Sequence, residues 1–546
     1  MADIETKGDD IVHNEGIDGV DHVVSGLSKG QFIHARETAL AATRDPWTVL
    51  KENVRVLLAI ISVQSSALIF GIETVFLNAL VGNQAFCKTM GYYIPATDSY
   101  FVEAWKISMW AGVYAVSQFV GQLLTASMCD RFGRRYGLYA ISLITYVGVT
   151  LEVVSPNFKV YTVAKVVMGI ATGALTVSVP TYVAEVAPRE IRGGALGVFS
   201  FNVTLGALVG SLITYAGNQA YPSVTDNRGW KIPLYVGLAA PTISIVGMLL
   251  TVTESPYWLT LKGRSDDAIK SIRRLYPRKS DIEVNEEAEL LVYTVEMERQ
   301  QRAANASISI FECFKGINLR RTFIASLPSL TAQLCGNALV QVYSTYFFTL
   351  AKIENALAAS CVVSALGLVG AIASYFMVEN KTIGRFWLLF ASVTVITICM
   401  LGIGIVNSAY GGVINKQGGF VLVFFVALYN VASSMGAVPG WAYLGESASV
   451  QLRAKTSALA SSTNAIIGGF WNIVLPYELA AIGPTTGYMF AGFGVLTTLA
   501  VWFLIPELSG RTYAEMDELF EKKVPARKFK STICTGDYGN HQEGGH

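Results

Sequence analysis

At 546 residues, 52% of them hydrophobic and 15% charged, with a mean hydropathy of +0.43, the chain is too apolar for a water-soluble globule. Its 41 Lys and Arg almost cancel its 40 Asp and Glu, and no basic stripe is present, which excludes a nucleic-acid partner. The sequence carries no nucleotide-binding loop and no metal-ligand cluster, so neither an enzyme, nor an ATP-driven pump, nor a bound cofactor is expected.

Residues 1–53 are polar and acidic at the start, and they lack a basic segment leading into a short apolar core. A cleavable signal peptide is therefore not expected, and the first span serves as its own insertion signal. Pro46 and Trp47 suit an interfacial anchor; the remainder of this tail reads as disordered. Twelve apolar stretches follow, each about the ~20 residues a bilayer crossing needs. They cover 57–80, 107–127, 136–155, 160–183, 194–217, 233–253, 322–350, 356–377, 386–406, 419–445, 455–477 and 486–505. Fifty glycines suit helices that pack closely in lipid. Lysine and arginine concentrate in the segments that are cytoplasmic if the amino terminus is, which places both termini in the cytoplasm. Of the seven cysteines only Cys87 falls in an external loop, so no external disulfide is expected. The acceptor sequences at Asn202, Asn305 and Asn380 lie in a span or on the cytoplasmic side, and no glycan is expected at any of them.

The first span holds Glu73, ~10 Å below its outer end at ~1.5 Å per residue; Lys165 in the fourth lies ~8 Å below the same surface. Depth allows these two to pair inside the bundle. Such a pair is either a static bridge between helices or a carboxylate that binds and releases a proton while the lysine sets its affinity. Glu152, close to the outer end of the third span, is expected to snorkel into headgroups. His13, His22, His34, His541 and His546 all lie in the tails, so no imidazole serves inside the membrane.

Between spans two and three the turn Asp130-Arg131-Phe132-Gly133-Arg134-Arg135 is dense in charge, and Glu185 is followed seven residues on by Arg192. Both patterns recur in the second half: Glu379-Asn380 with Gly384-Arg385, then Glu446 followed by Arg453. Glu254 and Glu507 close a third pair of apolar runs. Three echoes in one order make the chain two copies of one unit, with domains at 54–253 and 322–506, a linker at 254–321, and a tail at 507–546. The expected fold is all-α: an integral membrane protein of twelve transmembrane helices in two six-helix bundles. At the cytoplasmic face, Asp130, Arg131, Arg134, Arg135, Glu185, Arg192, Glu446 and Arg453 are expected to form a gate, with Glu185 pairing across the halves to Arg453 and Glu446 to Arg192.

In the linker, Ser265-Asp266-Asp267 starts one helix, with acids at its positive end, and 283–302 reads as another. Span seven offers Gln333, Asn337 and Gln341 at fourfold spacing, a polar stripe on one helix face that is either interhelical glue or a cavity wall. Spans ten and eleven add Trp441, Asn464 and Asn472. Beyond span twelve, Thr512 and Glu515 make a capping box, followed by a basic segment, KKVPARKFK, suited to an anionic leaflet.

Gly121 with DRFGRR, Pro180-x-Tyr182-x-x-Glu185-x-Ala187-Pro188 with Arg192-Gly193, and Glu254-Ser255-Pro256-x-Trp258-Leu259 with Gly263-Arg264 resemble the signatures of the sugar porters of the major facilitator superfamily. QLRAKTSALA at 451–460 and the segment 510–532 are similar to fungal alpha-glucoside (maltose-type) permeases, which are proton symporters. The resemblance implies two bundles rocking around a central sugar site, proton symport, sugar contact by Gln333, Trp441 and Asn464, an outer gate at Tyr343, and a latch role for the linker. The chain departs from the family where Asp and Arg are usual at Glu73 and Lys165. It also carries Ala332, Ala338 and Ser200 (with Asn202 the nearest amide) where the family has a glutamine, an asparagine and a glutamine, and Ala437-Val438 where it has glycine-proline. The expected partners are a small-molecule sugar or glycoside, protons and the lipid bilayer of the plasma membrane, around a monomer. Transport of a specialised metabolite and a non-transporting nutrient sensor are the alternatives; sensors of this family tend to carry longer cytoplasmic tails.

Overall fold

The computed structural model describes residues 46–534, apart from 96–97, 189, 306–308, 352, 354, 379–383, 411–414, 449–451, 509–512 and 533. Among the described residues, twelve helical passes follow one another. The first is Val54–Gln64 continued by Ala67–Val81, then come Ala104–Phe132, Arg134–Val154, Phe158–Val186, Arg192–Ala220, and a sixth of Arg228–Gly237 with Ala239–Thr251. The seventh combines Gly316–Leu334, Ala338–Val342 and Ser344–Leu350. Ala356–Val378, Gly384–Ala409, Lys416–Glu446, Arg453–Ile482 and Thr486–Leu504 complete the second half. Nine stretches of described residues qualify as membrane-crossing by length and apolar composition, one of them holding both of the last two helices. The second helix falls outside that set, diluted by Gln118 and Gln122, and the seventh is broken.

Within the first half, glycine sets how close the helices come. A Cβ on Gly173 would sit 2.0 Å from the Gln118 carbonyl oxygen, and one on Gly71 would sit 2.0 Å from that of Val203. The second helix therefore packs on the fourth, and the first on the fifth, at backbone contact, where larger residues cannot fit. The halves meet where the fifth helix lies along the eighth and the second along the eleventh. Ser211 Oγ is 3.1 Å from Ser364 Oγ, and the Tyr375 hydroxyl donates to the Gly194 carbonyl at 2.9 Å.

At the charged face, which carries Arg134, Glu185 and Glu254, the linker forms short helices at Pro256–Leu261 and Ser265–Leu275 and a long one at Asp281–Asn305. Ser271 Oγ donates to the Glu254 carbonyl at 2.6 Å, and the Tyr276 hydroxyl donates to the Val186 carbonyl at 3.1 Å. Burial pushes that phenol well above its usual range. Arg264 and then Lys270 hold the exposed Asp267 carboxyl below its usual range. The Tyr276–Val186 bond, with Ser271 Oγ donating to Thr253 Oγ1 at 3.1 Å, pins the linker to the first half.

The helix Tyr513–Glu521 and the segment after it dock on the second half. Arg321 pairs with Asp517 at 2.5 Å, Phe529 is fully buried, and the Arg527 guanidinium lies 3.5 Å from the Phe386 ring centroid. The basic segment expected to face lipid headgroups instead buries Phe529 and lays the still exposed Arg527 against the Phe386 and Trp502 rings, an aromatic seat for that cation. Lys523, Lys528 and Lys530 remain exposed. Thr512, the start of the expected capping box, lies outside the described residues, as do Glu379 and Asn380.

Candidate functional site

Two sites emerge, a buried charge cluster in the first half and a polar seam between the halves. In the cluster, Lys165 of the fourth helix reaches Glu73 Oε1 of the first at 2.5 Å, with both side chains almost wholly buried. The pairing allowed by depth alone is therefore made. Sequence depth failed for a third member. Glu152 does not snorkel: it is 0% exposed, and its Oε1 lies 2.8 Å from Lys165 Nζ. Snorkelling is blocked by a lid at that end. The short helix Gln84–Met90 brings the Phe86 ring to 5.4 Å from Tyr161 and 5.5 Å from Trp230, and Trp110 closes to 4.9 Å from Tyr161. Lys165 Nζ also sits 5.1 Å from the Tyr161 ring centroid, a cation–π contact in a dry place.

The seam is organised by the seventh helix. Cys335–Asn337 interrupts it, with Gly336 at φ +90°, and Ala338–Val342 continues as a wide turn before Ser344 resumes the α-helix. A continuous stripe of Gln333, Asn337 and Gln341 on one face is thereby corrected, because the left-handed residue resets the helical phase. Gln333 Nε2 donates to Asn464 Oδ1 of the eleventh helix at 3.2 Å, whereas Gln341 Nε2 donates to Asn430 Oδ1 of the tenth at 2.6 Å. Asn430, which the sequence reading passed over, then donates to the Val363 carbonyl at 2.8 Å. Asn337 sits half-buried at the break.

Gln341 and Asn430 line a cavity between the halves with Thr74, Thr204, Ser211 and Ser364. Its ~70 Å³ falls well short of the ~300–1,000 Å³ of a ligand pocket, so a small-molecule ligand would enter only if these helices part. Its hydroxyl and amide side chains can donate and accept hydrogen bonds to a polar ligand. Toward the face opposite the charged one the seam is shut. The Tyr343 hydroxyl donates to the Asn472 carbonyl at 2.7 Å, and Tyr346 is fully buried with Phe101 6.3 Å from its ring. Trp441 lies on the tenth helix, but its side chain is outside the described residues, as is that of Glu446.

At the charged face, Arg134 Nη2 reaches Glu185 Oε1 at 2.9 Å and its Nη1 reaches Asp130 at 2.8 Å. The expected Glu185–Arg453 pair across the halves is thus replaced by a pair within the first half. Arg134, opening the third helix, points directly at the end of the fourth, and Glu185 engages it through both carboxylate oxygens. Arg192 contacts the Ala187 carbonyl at 3.3 Å, Arg135 donates to the Tyr139 hydroxyl at 2.9 Å, and Arg131 is exposed beside Phe132. Two further contacts repeat between the halves. Tyr182 donates to the Thr253 carbonyl at 3.1 Å, and Tyr443 to that of Pro506 at 2.8 Å. Each tyrosine lies three residues before its glutamate, which is the signal that could have found them.

The sequence model of the family described as "Sugar (and other) transporter" matches residues 58–520. The chain is 29% identical over 484 residues to the general alpha-glucoside permease of Saccharomyces cerevisiae, spanning 87% of this chain and 76% of the relative. It is 26% identical over 476 residues to hexose transporter 2 of Kluyveromyces lactis, spanning 85% and 82%. Among solved structures, the inward open xylose transporter XylE from E. coli superposes with a TM-score of 0.65 at 18% identity, over 85% of this chain and 99% of that one, a likeness of fold.

Proposed function

Because the chain belongs to the sugar transporter family and is a membrane transporter of its type, we propose that it imports a sugar, an alpha-glucoside or a hexose, together with a proton. The charged face is the cytoplasmic one, both termini lie there, and the membrane is the plasma membrane. Residues 54–253 and 322–506 rock as two bodies about the polar seam, with the linker 254–321 riding on the first. Gln333, Asn337, Gln341, Trp441 and Asn464 bind the sugar, Tyr343 closes the outer side, and Glu73 with Lys165 couples the proton. The observation that carries proton coupling is the Lys165–Glu73 contact at 2.5 Å, ionisable groups buried in the middle of a bundle where they are costly unless used. The relatives named for alpha-glucosides and hexoses support the substrate class.

The absent family amides at Ala332 and Ala338 favour a second reading, a glycoside whose aglycone replaces hydroxyl contacts. Uptake of labelled glucose, maltose and trehalose into transporter-deficient cells, with and without a protonophore, tests both. Accumulation of one sugar that collapses with the protonophore is expected. Absence of uptake of all three despite normal surface protein would sink the sugar reading.

A further inference from the structure

We propose that Glu152 and Glu73 together hold one exchangeable proton beside Lys165, a two-carboxylate, one-ammonium site. Its role in coupling rests on the transport reading above. The Glu73–Lys165 pair by itself is neutral and complete, and a complete pair has no need of a proton. Glu152 changes that balance. It is 0% exposed, and its Oε1 lies 2.8 Å from the same ammonium that Glu73 engages at 2.5 Å, so the two carboxyls face each other across one cation.

With both acids ionised the cluster carries one uncompensated negative charge in a dry site, a costly state; one bound proton makes it neutral. The geometry of Glu152 points the same way. Among the described residues, the ammonium it shares with Glu73 is its one ion-pair partner, and its Oε2 accepts no hydrogen bond. A carboxylate there shares one ammonium with a second acid, whereas a carboxylic acid brings its own donor and can give it to its neighbour. The other titratable groups facing the cluster are the phenols of Tyr161 and Tyr114, whose hydroxyls are buried without a hydrogen bond. The step is a simple one. A proton from the aqueous phase joins the carboxyl pair, taking the cluster from −1 to neutral, and leaves to water on the other side when the halves rock.

The test is infrared spectroscopy of the full chain in nanodiscs, following the carbonyl band of a protonated carboxylic acid across pH, on wild type, Glu152→Gln and Glu152→Met. Either variant keeps the size of the side chain, and together they guard against one failing to fold. Wild type is expected to show the band at neutral pH and to lose it on alkalinisation, and both variants are expected to lack it. In vesicles, Glu152→Gln should lose accumulation of labelled maltose or glucose against a gradient while counterflow exchange stays measurable. A band that persists unchanged in both variants, or is missing from wild type at neutral pH, overturns the proposal. Wild-type uptake indifferent to a protonophore, with the band behaving as expected, would instead overturn the coupled-transport reading and leave the proton site standing.

Discussion

The carboxylate of Glu254, at the end of the sixth helix, accepts the backbone N–H of Arg134 at 2.7 Å. It thereby caps the start of the third helix, supplying negative charge where unpaired N–H groups and the helix dipole favour it. The second half repeats the device: Glu507 accepts from Arg385 N–H at 3.2 Å and Phe386 N–H at 3.1 Å at the start of the ninth helix. Gly133 at φ +104° and Gly384 at φ +70° make room, since a Cβ on either would sit within 2.4 Å of the capping carboxylate.

Replacing Glu254 by Ala should therefore cost about 1–2 kcal/mol, the upper range for a lost cap. Glu507→Ala should cost a similar amount. The two caps serve different helices, so the double variant should be additive within ~0.5 kcal/mol. Thermal melts of the purified protein check this. A large effect from one site and none from its partner would show that the two caps are not equivalent.

The Arg134–Glu185 pair predicts an asymmetric double-mutant cycle. Both side chains are about nine-tenths buried. Arg134→Met alone strands Glu185, a loss of roughly 3–5 kcal/mol for a buried pair broken on one side. Adding Glu185→Gln should recover most of it, because the buried carboxylate is gone and the other acid that Arg134 held, Asp130, is exposed enough for water to solvate it. If Glu185 instead depended on Arg453 in the resting state, the second substitution would not rescue the first, and stability measured by melting would show it.

How much was legible follows from where the charges sit. Glu254 with Glu507 and the Gly133 and Gly384 turns lie at helix junctions, where charge in an apolar sequence is conspicuous and its repetition betrays the duplication. Glu73 and Lys165 were legible for the same reason, and helix rise fixed their depth. Glu152 was not, because rise alone puts it near a surface that the Gln84–Met90 lid covers. The partner of Glu185 was missed because spacing along a chain does not say which of several arginines a helix end will point toward. The phase of the seventh helix hung on Gly336 alone, and a single glycine in an apolar run is equally compatible with an unbroken helix.

Tyr343 offers a test of the closed face. Phenylalanine at this position keeps the packing but loses the 2.7 Å bond to the Asn472 carbonyl. The loss is worth about 0.5–1.5 kcal/mol to the closed state, a roughly 2–10-fold shift toward the open one. Labelling of a cysteine placed in the cavity lining, for example at Ser211, should speed up by that factor from the side opposite the charged face. An unchanged rate in Tyr343→Phe would remove the residue from the gate.

Glu73 carries the sharpest prediction. Glutamine at this position keeps the size and can accept from Lys165 Nζ, now 2.5 Å from Glu73 Oε1, but it cannot change charge. Glu152 then becomes the sole counter-ion of the ammonium, and the site is neutral without a proton. Accumulation against a gradient should disappear while downhill exchange of the same sugar stays measurable, since the polar seam of Gln341 and Asn430 is untouched. Lys165→Met should behave differently. It leaves two buried acids with no cation, so folded protein in the membrane should fall. Combining it with Glu73→Gln and Glu152→Gln removes every charge at once and should restore folding without restoring coupling. A purely static bridge predicts another pattern: Glu73→Gln would lower surface protein, and whatever remained would still concentrate sugar. Uptake normalised to surface protein separates the two, and undiminished accumulation by Glu73→Gln would take the proton away from this residue.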